Sequence, residues 1–172
     1  MQTLFEIRDA TIEDLPKIVD IYNSTIPSRM VTADLEEVTV ESRIDWFHEH
    51  SPNFRPLWVV LSGDTICAWL SFQSFYGRPA YNGTAEVSIY IHEQFRNKGL
   101  GKYMLEKALE SCPQLNINNL LGFIFAHNKP SIQLFEHYGF EKWGHFPKVA
   151  VLDGIERDLL ILGKRILQEY NN

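Results

Sequence analysis

Apolar positions change their period several times along this chain, and each change marks an element. Leu4–Arg8 is short and alternating, the period-two signature of a half-buried strand. Leu15, Ile18, Val19 and Tyr22 then recur at helical spacing behind Thr11-Ile12-Glu13-Asp14, where Thr11 reads as an N-cap with acids in the first turn. A less regular stretch, Ser24–Val38, leads to a second helix near Val40–His50 that carries Ile44 and Phe47. Leu57–Ser62 and Thr65–Phe75 read as strands joined by a hairpin turn at Gly63-Asp64, and Thr84–Ile91 as a third after the turn-rich Tyr76–Gly83. Gly99–Cys112 returns to the helical period with Leu100, Tyr103, Met104 and Ala108 on one mainly apolar stripe. Leu120–Ala126 is an apolar strand, and Pro130–Tyr138 a helix that Gly139 can stop. Phe140–Phe146 and Ile155–Arg165 follow as two last strands. The pattern predicts an α/β (α+β) domain with a mostly antiparallel sheet and a late strand–helix–strand unit. No repeat, low-complexity segment or linker divides it, so residues 1–172 are expected to form one domain.

Composition narrows the function classes. With 45% hydrophobic and 22% charged residues the chain is an ordinary globule. Sixteen basic against 22 acidic residues give a net charge of −6, which disfavours binding a nucleic-acid backbone. No apolar run approaches the roughly 18 residues of a membrane span, and no secretory signature follows Met1-Gln2. Two cysteines, Cys67 and Cys112, cannot build a disulfide scaffold or a four-cysteine zinc site. Six scattered histidines offer no metal-ligand spacing. The expectation is a cytoplasmic protein with no nucleic-acid, membrane or metal partner.

One segment stands against the acidic balance. After the strand ending Ile89-Tyr90-Ile91, a short loop carries Arg96-Asn97-Lys98-Gly99-Leu100-Gly101-Lys102 into a helix. Free N–H groups at a helix N-terminus bind phosphate, and glycine lets a ligand approach the backbone closely. The Gly-Lys-Ser/Thr ending of a P-loop is absent, and no third glycine completes a dinucleotide fingerprint.

Arg96-x-x-Gly99-x-Gly101 directly after a strand resembles the acetyl-coenzyme A signature of the Gcn5-related N-acetyltransferase (GNAT) superfamily. Asn128-x-x-Ser131 and Tyr138-Gly139-Phe140 fall in the family order. Arg78-Pro79-Ala80-Tyr81, followed by Glu86-Val87-Ser88-Ile89-Tyr90-Ile91, and the early Ile21-Tyr22-Asn23 are similar to its phosphinothricin acetyltransferase-like branch. The resemblance implies the GNAT fold, a mixed, mostly antiparallel sheet of about seven strands flanked by about four helices. It also implies that the amides of Asn97 to Lys102, helped by Arg96, Lys98 and Lys102, hold the coenzyme pyrophosphate. Ile89, Tyr90 and Ile91 would pair with the pantetheine arm, and Asn128 and Ser131 would meet it from the other side. An open strand edge can indeed pair with an amide-bearing ligand as with a neighbouring strand.

The chemistry follows from spacing along Thr84–Ile91. Thr84, Glu86, Ser88 and Tyr90 share one face, and Glu86 is a carboxylate in a strand expected to be central. A pantetheine arm of roughly 15 Å spans four or five residues at about 3.3 Å each, so its thioester end falls near Glu86 to Val87. Glu86 is the expected general base, the alternative being a structural carboxylate paired with Arg78. The superfamily's general-acid tyrosine position is Phe135 here, and Tyr138 is nearby but equally suited to packing. Arg78 offers a planar fork for an acid group on the acceptor, with Tyr81 beside it. The expected activity is acetyl transfer from acetyl-coenzyme A to the primary amine of a small, acidic acceptor, such as an amino acid, phosphinothricin, methionine sulfone or methionine sulfoximine. The alternatives are a peptide or polyamine acceptor, or a non-catalytic acyl-coenzyme A-binding module. Phe72, Phe75 and Tyr76 near a sheet edge suggest a homodimer contact, which the branch also implies.

Overall fold

The computed structural model describes residues 4–166. Among them, β1 (Phe5–Asp9), α1 (Leu15–Thr25), α2 (Ile44–His48), β2 (Leu57–Ser62), β3 (Thr65–Ser74) and β4 (Thr84–Ile91) come first. There follow α3 (Leu100–Ser111), β5 (Asn119–Phe125), α4 (Lys129–His137), β6 (Glu141–Leu152) and β7 (Ile155–Arg165). This is the order that the periodicities predict, and the architecture is the expected mixed α/β one, a seven-stranded sheet ordered β1-β2-β3-β4-β5-β7-β6. Of the registered pairs, β1–β2, β2–β3, β5–β7 and β6–β7 are antiparallel, while β4–β5 is parallel and spanned by α3. A parallel pair needs such a long crossover, whereas the antiparallel β2–β3 pair is closed by the two-residue turn Gly63-Asp64. None of the described helices is long and apolar enough to cross a membrane.

Contacts group the chain into two compact units, residues 1–72 with 89–101, and residues 73–88 with 102–172. In the first, Leu15, Ile18, Val19 and Ile21 of α1 pack on Leu57, Val59 and Trp69. The helical period of the sequence is the cause, since those positions share one stripe. Trp69 adds a donor, its Nε1 bonding the Ile18 carbonyl at 3.0 Å. Before α1, the buried carboxylate of Asp14 accepts two bonds from the Arg8 guanidinium, at 2.7 and 2.9 Å, and one from the Thr11 N–H at 2.8 Å. These bonds fasten β1 to the start of α1.

In the second unit, β4 pairs with β5 over three residues, Thr84–Glu86 against Asn119–Leu121. On α4, Ile132 and Phe135 are buried, and the Phe135 ring lies over Gly122 of β5. A Cβ at Gly122 would stand 2.6 Å from Phe135 Cε1, so only glycine leaves room for the ring. Gly122 is thus a packing glycine within an apolar strand.

The structure departs from the sequence expectations in three places. β6 does not stop at Phe146 but continues to Leu152, through Pro147, because the ladder with β7 shifts register between Phe146 and Ala150. Proline is tolerated there since β6 is an edge strand with a bulge. The second helix is shorter than Val40–His50, a 3-10 turn at Glu41–Arg43 preceding α2. Phe72 cannot form a surface contact, because it is fully buried and packs edge-on against Trp58 at 5.3 Å between ring centres.

The Arg8 hydrogen bonds, outweighing the cost of burial, hold the Asp14 carboxyl below its usual range. Its folded pKa is depressed, so the stabilisation is complete above about pH 4 and lost as the pH falls through the folded value. Arg8 is substantially exposed and the pair is partly screened. Asp14→Ala should therefore cost about 1–2 kcal/mol in denaturant unfolding at pH 7, with the difference shrinking toward pH 3. An equal deficit at both pH values would separate the loss from the ion pair. Gly122→Ala should cost about 1–3 kcal/mol through overpacking, and Gly122→Ala with Phe135→Leu should recover part of it.

Candidate active site

The glycine loop belongs to the first unit. β4 ends at Ile91, and the His92 N–H donates to the Cys67 carbonyl at 2.9 Å, anchoring the loop to β3. A 3-10 turn over Glu93–Phe95 follows, with the Gln94 N–H donating to the His92 ring at 3.3 Å. Asn97 and Gly99 are both left-handed, at φ 59° and 80°, on either side of Lys98. Nothing lies within 4 Å of the place a Gly99 Cβ would occupy, so the backbone is open to a ligand there. α3 then begins at Leu100, which is buried and pins the helix start. Of the three cations, Lys98 lies over the Phe95 ring at 5.0 Å and Arg96 stands 4.0 Å from Glu93, while Lys102 follows in the first turn of α3. Left-handed loop residues before a helix N-terminus of twelve residues form the kind of concavity that takes an anion.

Beside this loop, Tyr90 stacks on Trp69 at 4.4 Å and meets the Tyr22 ring at 5.1 Å. The Tyr22 hydroxyl bonds Thr32 and Asp34, Arg43 pairs with Asp34 at 3.2 Å, and its guanidinium lies 5.1 Å from the Tyr22 ring centre. Burial, then the Asp34 hydrogen bond, raises the Tyr22 pKa. The sequence places Tyr22 on a helical stripe and in a motif but shows nothing of this network. Its partners lie in the irregular stretch Ser24–Val38 and beyond, where no periodicity points to a contact.

The second unit carries the carboxylate. Along β4, Ala85 and Val87 are buried while Thr84, Glu86 and Ser88 are half-buried, so the expected alternation holds. Glu86 lies at the last position registered with β5, opposite Leu121. It forms no ion pair among the described residues, and the structural alternative, a bridge to Arg78, is not made. Burial raises its pKa to about 7, against a smaller lowering by the Ser88 hydroxyl. Ile89 and Ile91, on the apolar side of the strand, remain half-buried.

Arg78 and Tyr81 frame a 3-10 turn, the Tyr81 N–H bonding the Arg78 carbonyl at 2.9 Å, and both are exposed. At the far end, Asn128 is buried and caps α4, its Oδ1 accepting from the Ser131 N–H at 3.3 Å. Phe135 is buried against Phe140 at 4.8 Å and has no proton to give. Tyr138 is committed elsewhere, donating to Glu106 at 2.5 Å, which raises its pKa to about 12. His127 stacks on Phe125 at 5.4 Å. Both thiols are buried, and desolvation raises Cys67 and lifts Cys112 to about 12, so neither is a nucleophile.

Comparison with known proteins gives the same picture. The acetyltransferase (GNAT) family model matches residues 15–140. "Putative phosphinothricin acetyltransferase YwnH" of Bacillus subtilis (strain 168) is 55% identical, over 93% of this chain and 98% of its own. An L-methionine sulfoximine/L-methionine sulfone acetyltransferase of Pseudomonas paraeruginosa (strain DSM 24068 / PA7) is 28% identical over 91% of both chains. A crystal structure described, like YwnH, as that of a phosphinothricin N-acetyltransferase by assignment superposes with a TM-score of 0.93 at 53% identity, covering 96% of this chain and 100% of the other.

Proposed function

The chain belongs to the acetyltransferase (GNAT) family and is an N-acetyltransferase, and from that premise we propose that it transfers acetyl from acetyl-coenzyme A to the primary amine of a small, acidic acceptor. The observation that carries the mechanism is Glu86, a half-buried carboxylate without an ion-pair partner among the described residues, whose pKa is lifted to about 7. A base of that pKa is about half ionised at neutral pH and basic enough in that form to take a proton from an ammonium, directly or through one water. The relatives named for phosphinothricin and methionine derivatives support an acceptor of that size and charge.

Acetyl-coenzyme A supplies the activated thioester. The open backbone at Gly99 fits a pyrophosphate, with the amides of Asn97 to Lys102 as donors and Arg96, Lys98 and Lys102 as local counter-charge. Ile89, Tyr90 and Ile91 lie beyond the β4–β5 register, and an amide-bearing arm would run along this part of the strand. Tyr90 keeps its ring on Trp69, so it contributes through its main chain. Asn128 and Ser131 hold the other side of the arm from the start of α4. Glu86 removes the ammonium proton, the neutral amine forms the new C–N bond, and the C–S bond breaks to release thiolate. A thiol of pKa about 8.5 is a tolerable leaving group, so neither Phe135 nor Tyr138 is needed as an acid. Arg78 pairs with the acceptor's acid group and Tyr81 packs beside it.

We place this activity in one N-acetyltransferase domain, residues 1–172, working in the cytoplasm as a homodimer. The buried free thiols suit a reducing compartment. Trp143, Phe146, Val149, Val151 and Ile155 expose apolar surface along the edge strand β6 and the start of β7, which suits a second copy of the chain. Light scattering should give twice the monomer mass, and Val149→Asp with Val151→Asp should halve it. An unchanged monomer mass in both proteins would remove the dimer.

Release of coenzyme thiol across a panel of amino acids, phosphinothricin, methionine sulfone, peptides and polyamines tests the acceptor class. Turnover on peptides alone would overturn the small-acceptor reading. With the best acceptor, kcat/KM should climb with pH to a midpoint near 7 and level off, because only ionised Glu86 is a base. Glu86→Gln should lower kcat by about 10²–10⁴-fold and remove that limb, while the thermal shift given by acetyl-coenzyme A stays. Unchanged turnover would take Glu86 out of the mechanism.

A further inference from the structure

The segment between β3 and β4 holds two aromatic rings at the surface, Tyr76 and Tyr81, and a half-buried one, Phe75. Phe75 and Tyr76 meet at 4.5 Å between ring centres, Phe75 and Tyr81 at 5.6 Å, and Tyr76 and Tyr81 at 6.1 Å. Tyr76 is 78% exposed and Tyr81 44%. Burial alone would drive such rings inward, yet here they gather on one another outside the core. Tyr76 is also left-handed at φ 57°, followed by Gly77 at φ 62°. A bulky residue adopts that backbone only where its surroundings enforce it.

The loop is anchored at its far end. The Gly83 carbonyl accepts N–H bonds from Asn118 at 2.7 Å and Asn119 at 3.0 Å, which ties the entry of β4 to the entry of β5. Arg78 sits in the chain between Tyr76 and Tyr81, exposed and without an ion pair among the described residues. From Phe75 to Asn82 the loop has one cation, three rings and no carboxylate. An acceptor with one acid group and an uncharged side chain matches that set. An acceptor with a second acid group would need a second cation, which the loop does not hold.

We propose that Tyr76 is a specificity-determining residue, its ring forming with Phe75 and Tyr81 a platform for the acceptor's uncharged side chain while Arg78 takes the acid group. The proposal rests on the small-acceptor reading above and deepens it. The platform selects mono-acidic amino acids over acceptors that carry a second anion. A ring face binds apolar and soft, polarisable groups and gives nothing to a second anion.

The test uses the full chain with saturating acetyl-coenzyme A, and methionine sulfone and phosphinothricin as acceptors. The parent protein should favour methionine sulfone in kcat/KM by about tenfold or more. Tyr76→Gly removes the ring and accepts the left-handed backbone, so it should fold with an unchanged thermal midpoint. In that variant the preference should fall by about tenfold, carried by a higher KM for methionine sulfone rather than a lower kcat. Tyr76→Phe should restore it. A parent preference for phosphinothricin, equal losses on both acceptors, or a change in light-scattering mass on removing the ring would each overturn the platform. If the parent acetylates neither compound but does acetylate other amino acids, the platform falls alone; if it acetylates peptides only, the small-acceptor reading falls and takes this one with it. Turnover without any Tyr76 dependence removes this one alone.

Discussion

Alternation along β4 buries Ala85 and Val87 and thereby obliges Glu86 and Ser88 to share the opposite face. The strand cannot slip by one residue to relieve the carboxylate without turning its apolar side chains outward. Glu86 is therefore held half-buried by the packing of its neighbours rather than by a charge partner. Desolvation, offset only in part by the Ser88 hydroxyl, makes its proton hard to lose, and this sets the pKa near neutrality. Stability and chemistry meet in one strand: the residues that secure it in the sheet also fix the basicity of the carboxylate.

The same strand leads into the loop, and the two ends use different physics. At Glu86 a charge is destabilised by removal from water. At Asn97–Lys102 a ligand's charge is expected to be satisfied by backbone donors that a left-handed turn and a helix start leave free. Tyr90 lies between them, clamped by Trp69 and Tyr22, and Tyr22 is tied through Asp34 to Arg43. The irregular Ser24–Val38 segment is thus fixed to the C-terminal half of β4 by side-chain bonds, without regular structure of its own.

Legibility from sequence followed the reach of local rules. Element order was readable because each element imposes its own period, and the β4 alternation set Glu86 apart as a carboxylate in a strand, while its reading as a base leaned on the family resemblance. The strand–loop–helix at Arg96-x-x-Gly99-x-Gly101 was readable because glycines and cations mark it within a few residues. What stayed hidden depends on contacts between distant residues. The strand expected over Phe140–Phe146 runs on through Pro147 to Leu152, which only the bulged pairing with β7 makes tolerable. Phe72 looked available for an interface until β3 proved to lie between β2 and β4. Nothing beside Gly122 in the sequence shows that the Phe135 ring requires a glycine there. Tyr138 remained open as an acid until its hydroxyl proved to donate to Glu106 of α3, far away in sequence, which holds the phenol proton more tightly.

Net charge of −6 bears on this site less than it first suggests. A uniform negative charge repels a polyanion, whose many phosphates must each find a cation. A single pyrophosphate needs only a local field, and backbone N–H groups supply that without altering the net charge at all. An acidic surface attracts cations at encounter range, while Arg78 is one local positive charge in an otherwise uncharged loop. Overall charge and local charge thus act at different ranges, so a net negative charge does not bar a local site for an anion.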